Sequence, residues 1–162
     1  KSFKNNIEIF DAPSYFKDIH KYHQIIYETD LANNFGLYYK KYKKKLSRPM
    51  QDAIVNGNKH SAKEYAKAID FMKTSYESHE EVFKEYHGVL SPSSPGVAPK
   101  SLKSTGSAEF NRTWSYLGTP CISLPLLKGE SEMPLGVQLI GAKFDDHKFL
   151  GLANWLEKKA NN

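Results

Sequence analysis

The sequence predicts an α/β fold, in which a layer of helices is followed by a partial mixed β-sheet. Helical periodicity dominates residues 1–87, whereas residues 88–162 hold short apolar runs bounded by Gly and Pro, and then a closing helix. The length of 162 residues and the hydrophobic fraction of 40% suffice for one ordinary core. Because no repeat or linker divides the chain, we expect a single segment over residues 1–162.

The first half contains the start of the helical layer. Alternating apolar and polar residues over 6–10 predict a short strand, and Pro13 then turns the chain into a helix of about residues 14–33. The expected apolar side of this helix consists of Phe16, Ile19, His23, Ile26, Tyr27 and Leu31. We expect the Tyr/Lys-rich stretch to Leu46 to be helical as well, although Gly36 interrupts it. A short helix over about 49–55 is predicted to end at Asn56-Gly57.

The best-defined helix begins with a capping box. Ser61 is the expected N-cap and Glu64 stands three residues later, which is the spacing that satisfies two backbone N–H groups reciprocally. Apolar residues then recur at steps of four and three as far as Tyr86, and Gly88 follows. The pattern predicts one continuous helix over residues 61–86.

The second half is predicted to form the sheet. The expected elements are a strand over 89–91, a Pro/Ser/Lys-rich loop over 91–103, a helix over 107–117, strands over 120–126 and 136–141, and a helix that begins at Asp145 or Asp146. Three or four strands make a small sheet, so we expect at least one edge without a partner.

Charge and cysteine content restrict the class of protein. Five lysines lie within Lys40–Lys45 and account for much of the net charge of +5. Such a run is typical of a nucleic-acid or anionic-membrane patch, but also of a solvated helix end, where lysines favour the negative end of the helix dipole. We favour the helix end and expect neither a membrane nor a nucleic-acid partner. The single cysteine, Cys121, excludes an internal disulfide and agrees with a cytoplasmic location.

Two motifs in the second half carry a resemblance to a known family. Residues 118–125 read Gly-x-Pro-x-x-x-x-Pro, and residues 134–141 read Pro-x-Gly-x-Gln-x-x-Gly. They are preceded by Phe-Asn-Arg-Thr-Trp at 110–114 and followed by an acidic turn at Asp145. The order of these pieces resembles the C-terminal portion of the amidase signature family, which includes the amidase-like subunits of glutamyl-tRNA amidotransferases. The resemblance implies the C-terminal part of that fold.

The resemblance also implies a chemistry. The family hydrolyses carboxylic amide C–N bonds through a serine nucleophile, a second serine in a cis peptide and a lysine base. These residues lie in its N-terminal region, and this chain has no Gly-Gly-Ser-Ser-Gly-type run. The implied assignment is therefore no catalytic residue, no metal and no cofactor within the chain, which alone is predicted to be inactive. The implied partners are a missing N-terminal amidase segment or a second copy of the chain, with a small amide as substrate. The alternative is a free-standing, catalytically inactive binding module with an amidase-like fold.

The resemblance places part of a substrate-pocket wall on Ser93, Asn111 and Trp114. Many family members have a Pro and an Asn nearer the Gly, so which side chain faces the substrate stays open. Trp114 could instead be a core residue, and Asn111 could brace a turn. Pro92 and Pro95 flank the tandem Ser93-Ser94, which we therefore interpret as a structural or pocket-rim loop. Cys121, in an apolar strand, is expected to be a buried and inert thiol.

Overall fold

The computed structural model describes residues 7–161. These residues form two compact units, one over residues 15–76 and the other over 77–161 together with 7–14. The helix over Ala62–Glu85 contributes its first part to one unit and its last part to the other.

The unit over 15–76 is helical. It contains α1 (Phe16–Tyr42), a 3-10 turn (Lys43–Lys45), α2 (Arg48–Gly57) and the first part of α3 (Ala62–Glu85). Its buried apolar side chains are Ile19, Tyr22, Ile25, Ala32, Ala53, Ile54 and Ala68.

Local signals set the boundaries of these helices. The predicted capping box is confirmed, because the Ser61 backbone N–H donates to Glu64 Oε2 at 2.8 Å and the Glu64 N–H donates to Ser61 Oγ at 3.2 Å. Helix α1 continues through Gly36, so the Tyr/Lys-rich stretch is helical as predicted. The five lysines of Lys40–Lys45 are exposed at the end of α1, which confirms the solvated helix end. Three of their ammonium groups lie over the rings of Tyr39 and Tyr42 at 5.1–5.5 Å.

Two predictions for the first 40 residues are wrong. No strand forms over residues 7–10, where Ile9 is 96% exposed and no neighbouring strand pairs with the backbone; Asn6 lies outside the described residues. The buried face of α1 also differs from the predicted one. Tyr27 is exposed, whereas Tyr22, Ile25 and Glu28 are buried. The packing of α2 on α1 sets this face, because a Cβ at Gly57 of α2 would collide with the carbonyl oxygen of Glu28.

The second unit contains the sheet. Its elements are β1 (Val89–Pro92), α4 (Glu109–Leu117), β2 (Cys121–Lys128), β3 (Pro134–Ile140) and α5 (Asp146–Asn161). The α/β class is confirmed, and the three strands lie in the order β1-β3-β2. Strand β3 is antiparallel to both neighbours, so the sheet predicted to be mixed is antiparallel over these strands. Strands β1 and β2 run in the same direction, but β3 lies between them and opposes both.

The register gives the sheet two different faces. On one face, Leu139 packs with Leu90 and Ile122 against Phe149, Leu152 and Ala153 of α5. On the other face, Ser91 and Ser123 lie on either side of Gln138, because both pair with it across the sheet. One face of the sheet is therefore apolar and closed by α5, and the other carries polar side chains.

Candidate functional site

The polar face of the sheet ends in a pair of serine hydroxyls. Ser93 Oγ and Ser123 Oγ are 2.7 Å apart, and the Ser93 backbone N–H donates to the Gly136 carbonyl oxygen at 3.0 Å. A Cβ at Gly136 would lie 2.5 Å from Ser123 Oγ and 2.8 Å from Ser93 Oγ. The two hydroxyls can therefore meet across β3 only because residue 136 has no side chain.

Asn111 joins this pair from α4. Its Nδ2 donates to the Ser93 carbonyl oxygen at 3.2 Å, and the Asn111 side chain is exposed while Ser93 is half-buried. Two of the three predicted pocket-wall residues are thus in contact. We call Ser93, Asn111 and Ser123 the hydroxyl–amide cluster.

Gln138 lies beneath this cluster and is only 4% exposed. Its Nε2 donates to Ser91 Oγ at 2.8 Å, to the Pro92 carbonyl oxygen at 3.0 Å and to the Phe110 carbonyl oxygen at 2.9 Å. One amide group therefore connects β3 to the end of β1 and to the first turn of α4.

Trp114 lies apart from the cluster in the core of the same unit. It is 6% exposed, and its ring centroid is 5.3 Å from that of His79 on α3. His79 is fully buried, and this burial lowers the pKa of its imidazole to about 4. The assignment of Trp114 to the pocket wall stays a prediction, and the burial of its ring is the arrangement that the alternative of a core residue describes.

The hydroxyl–amide cluster is electrically neutral. The described residues bring no imidazole and no ammonium group into hydrogen-bond contact with either serine hydroxyl. Ser94, the neighbour of Ser93, donates its hydroxyl to the Gly96 carbonyl oxygen at 2.6 Å. A serine nucleophile needs an adjacent base, so these hydroxyls are equipped for hydrogen bonding and not for attack on a carbonyl.

The prediction of a buried thiol at Cys121 is wrong, because this residue is exposed. The reason is the position of β2 at the edge of the described sheet. Desolvation nevertheless raises the pKa of the Cys121 thiol, against the smaller opposite effect of its hydrogen bond to the Thr119 carbonyl oxygen. The raised pKa favours the unreactive thiol over the thiolate.

A second polar cluster lies in the helical unit, around the buried carboxylate of Glu28. Gln24 Nε2 and Asn56 Nδ2 donate to Glu28 Oε1 at 2.8 and 3.3 Å, and His60 Nε2 lies 2.7 Å from Oε2. Burial raises the pKa of Glu28, but the hydrogen bonds from Gln24, His60 and Asn56 outweigh it, so the net shift is downward. This cluster links α1, α2 and the segment before α3, which gives it a structural role.

Neither a metal site nor a membrane span is apparent over the described range. Residues 7–161 contain no group of three or more His, Cys, Asp or Glu side chains placed to share a metal ion. In the same range, no helix has the length and apolar character needed to cross a bilayer.

Comparison with known proteins places this chain in a family. The sequence profile of the Amidase family matches residues 3–150. The chain belongs to the Amidase family. The amidase-like chain of glutamyl-tRNA(Gln) amidotransferase from Helicobacter hepaticus is 34% identical over 104 residues, which are 60% of this chain and 23% of that protein. Human fatty-acid amide hydrolase 2 is 38% identical over 72 residues, 43% of this chain and 14% of that protein.

Solved structures of the family share the fold. A crystal structure of an amidase superimposes with a TM-score of 0.81 at 23% identity, over 90% of this chain and 36% of that one. The 6-aminohexanoate cyclic dimer hydrolase gives a TM-score of 0.69 at 17% identity, over 92% and 35% of the two chains. This Amidase family chain thus spans about a quarter of the length of the curated relatives that cover most of it, and about a third of the solved structures.

Sequence reasoning missed three residues of the site: Ser123, Gly136 and Gln138. Gly136 and Gln138 belong to the motif that carried the family resemblance, and Ser123 lies within the other motif. A signal for them was present, because Ser123 and Gln138 are polar residues within otherwise apolar strands. Their contact with Ser93, however, depends on the pairing of three strands, which short-range patterns do not specify.

Proposed function

We propose that this chain is the C-terminal segment of an amidase-signature hydrolase that cleaves carboxylic amide C–N bonds. In this proposal the serine nucleophile, the cis-peptide serine and the lysine base belong to an N-terminal segment outside residues 1–162. The present chain supplies strands, a helical flank and the part of the pocket wall formed by Ser93 and Asn111, with Trp114 behind it.

The observation that carries the proposal is the hydroxyl–amide cluster without a base. An enzyme that used Ser93 or Ser123 as nucleophile would need an imidazole, lysine or carboxylate in hydrogen-bond reach, together with N–H groups directed at an oxyanion. The described contacts of the two hydroxyls are with each other, and the backbone N–H of Ser93 is already bonded to Gly136. The family membership supplies the reaction class, and the missing base assigns the chemistry to residues elsewhere.

The remaining parts of the proposal concern partners and location. Strands β1 and β2 are the edges of the described sheet, and Leu127 of β2 is 51% exposed. We propose that the N-terminal amidase segment, or failing that a second copy, covers these edges. A single cysteine and its raised thiol pKa are in keeping with a reducing, cytoplasmic compartment.

The test compares this chain alone with the product of the complete reading frame. Both are assayed against aliphatic and aromatic amides and labelled with a fluorophosphonate probe for activated serines. We expect hydrolysis and labelling by the complete product, with the labelled serine outside residues 1–162, and neither with the chain alone. Turnover by the chain alone, with a label on Ser93, Ser94 or Ser123, would overturn the proposal. A complete product without any amidase activity would instead favour the inactive binding module.

A further inference from the structure

The side-chain amide of Gln138 is a buried donor in contact with three acceptors. Two of these acceptors are backbone carbonyl groups, of Pro92 and Phe110, and the third is the hydroxyl of Ser91. Buried polar groups cost free energy unless they are paired, so the amide and its acceptors stabilise one another in this arrangement only.

The two carbonyl acceptors directly precede the two residues of the predicted pocket wall. The carbonyl of Pro92 belongs to the peptide unit that it shares with Ser93, and the N–H of the same unit donates to the Gly136 carbonyl oxygen. Both ends of this peptide plane are therefore bonded to β3, which fixes the direction in which the Ser93 side chain leaves the backbone.

Asn111 is held in a corresponding way. The Phe110 carbonyl, in the peptide unit shared with Asn111, accepts from Gln138, and the Asn111 side chain donates to the Ser93 carbonyl oxygen. The hydrogen bonds thus form a connected set from β3 through Gln138 to Ser93 and Asn111.

We propose that Gln138 is a positioning residue of the pocket wall, which fixes Ser93 and Asn111 relative to each other without contacting the substrate itself. The inference rests on the proposed function, since it needs the hydroxyl–amide cluster to face a substrate. It adds a residue that the family resemblance did not assign to the wall.

The test is steady-state kinetics of the complete protein with Gln138→Met. Methionine has a similar length but no N–H group, so the three acceptors lose their donor while the core volume is nearly kept. Because the wall contacts the substrate before and during the reaction, we expect KM to rise about tenfold while kcat changes by less than about twofold. The matched control is Gln24→Met, the same chemical change in the Glu28 cluster of the other unit. It also removes a part-buried hydrogen bond, and we expect it to leave KM unchanged.

The outcomes separate the inference from the proposed function. No amide hydrolysis by the unaltered complete protein would refute the proposed function itself. Hydrolysis with an unchanged KM in folded Gln138→Met would overturn the inference alone, as would the same KM rise in Gln24→Met. If Gln138→Met does not fold, Ser91→Ala serves instead. It removes one acceptor from a half-buried position, and a KM rise of about two- to threefold supports the inference while none overturns it.

Discussion

Acidification is expected to destabilise this protein through His79. The imidazole is fully buried on α3, with the ring of Phe83 at 5.2 Å and the ring of Trp114 at 5.3 Å between centroids. Burial disfavours the charged imidazolium, and the pKa of His79 falls from 6.5 to about 4.

The sign and size of the effect follow from the two pKa values. Between pH 6.5 and about 4 the unfolded chain binds a proton at this histidine that the folded chain does not. The stabilisation is therefore complete above pH 6.5 and is lost as the pH falls towards the folded-state pKa. Each pH unit in this window lowers the free energy of unfolding by about 1.4 kcal/mol, and the whole window by about 3 kcal/mol.

The assay is urea unfolding at several pH values in that window, for the unaltered protein and for His79→Leu. The substitution removes the titrating group, so the difference between the two slopes isolates His79 from carboxylates such as Glu28. His87→Leu is a matched control, because the His87 side chain is exposed to solvent in the folded protein. Equal slopes for His79→Leu and the unaltered protein would refute the reasoning, since they would show that the folded state protonates His79 as readily as the unfolded chain does.

Three further predictions concern packing and reactivity. Gly57→Ala should destabilise by about 1–3 kcal/mol because its Cβ collides with the backbone of α1, whereas Gly36→Ala should stabilise by about 0.5–1 kcal/mol because no atom lies within 4 Å of its Cβ. Urea unfolding measures both, and changes of the same sign would contradict the argument. Gly136→Ala should cost about 1–3 kcal/mol by the same assay, and Ser123→Gly should recover part of that loss. Cys121 should react more slowly with a chromogenic disulfide at neutral pH in the folded than in the unfolded protein, and an equal rate would speak against the raised thiol pKa.

Local sequence signals predicted the elements well where the signal and the structure share the same few residues. The start of α3 is an example, because the capping box is completed by Ser61 and Glu64 themselves. The Gly and Pro residues around 118–141 likewise marked the strands that became β2 and β3. The alternating pattern over 6–10 failed because alternation describes a strand only where another strand pairs with it.

The site was predictable in part, for a related reason. The resemblance indicated Ser93 and Asn111, which the structure brings into contact. The partner of Ser93, Ser123, follows it by 30 residues and meets it through β3. The burial of Glu28 was missed because its compensating donors come from 28 and 32 residues further along the chain. Exposure at Cys121 depends on which strand lies at the edge, and strand order is not a local property.

The two buried polar groups, Glu28 and Gln138, solve opposite problems of charge. Glu28 is a carboxylate that collects donors, and such an arrangement suits a rigid junction of helices in which a charge is held permanently. Gln138 faces acceptors, two of which are carbonyl groups at the ends of β1 and α4. A lysine could satisfy the same acceptors, but it would bury a positive charge beneath the hydroxyl–amide cluster at a cost of several kcal/mol. The neutral amide avoids that cost and leaves the cluster without a field of its own. In the proposed enzyme, this part of the wall would therefore bind by shape and neutral hydrogen bonds, and the electrostatics of amide cleavage would come from the residues that carry the nucleophile and its base.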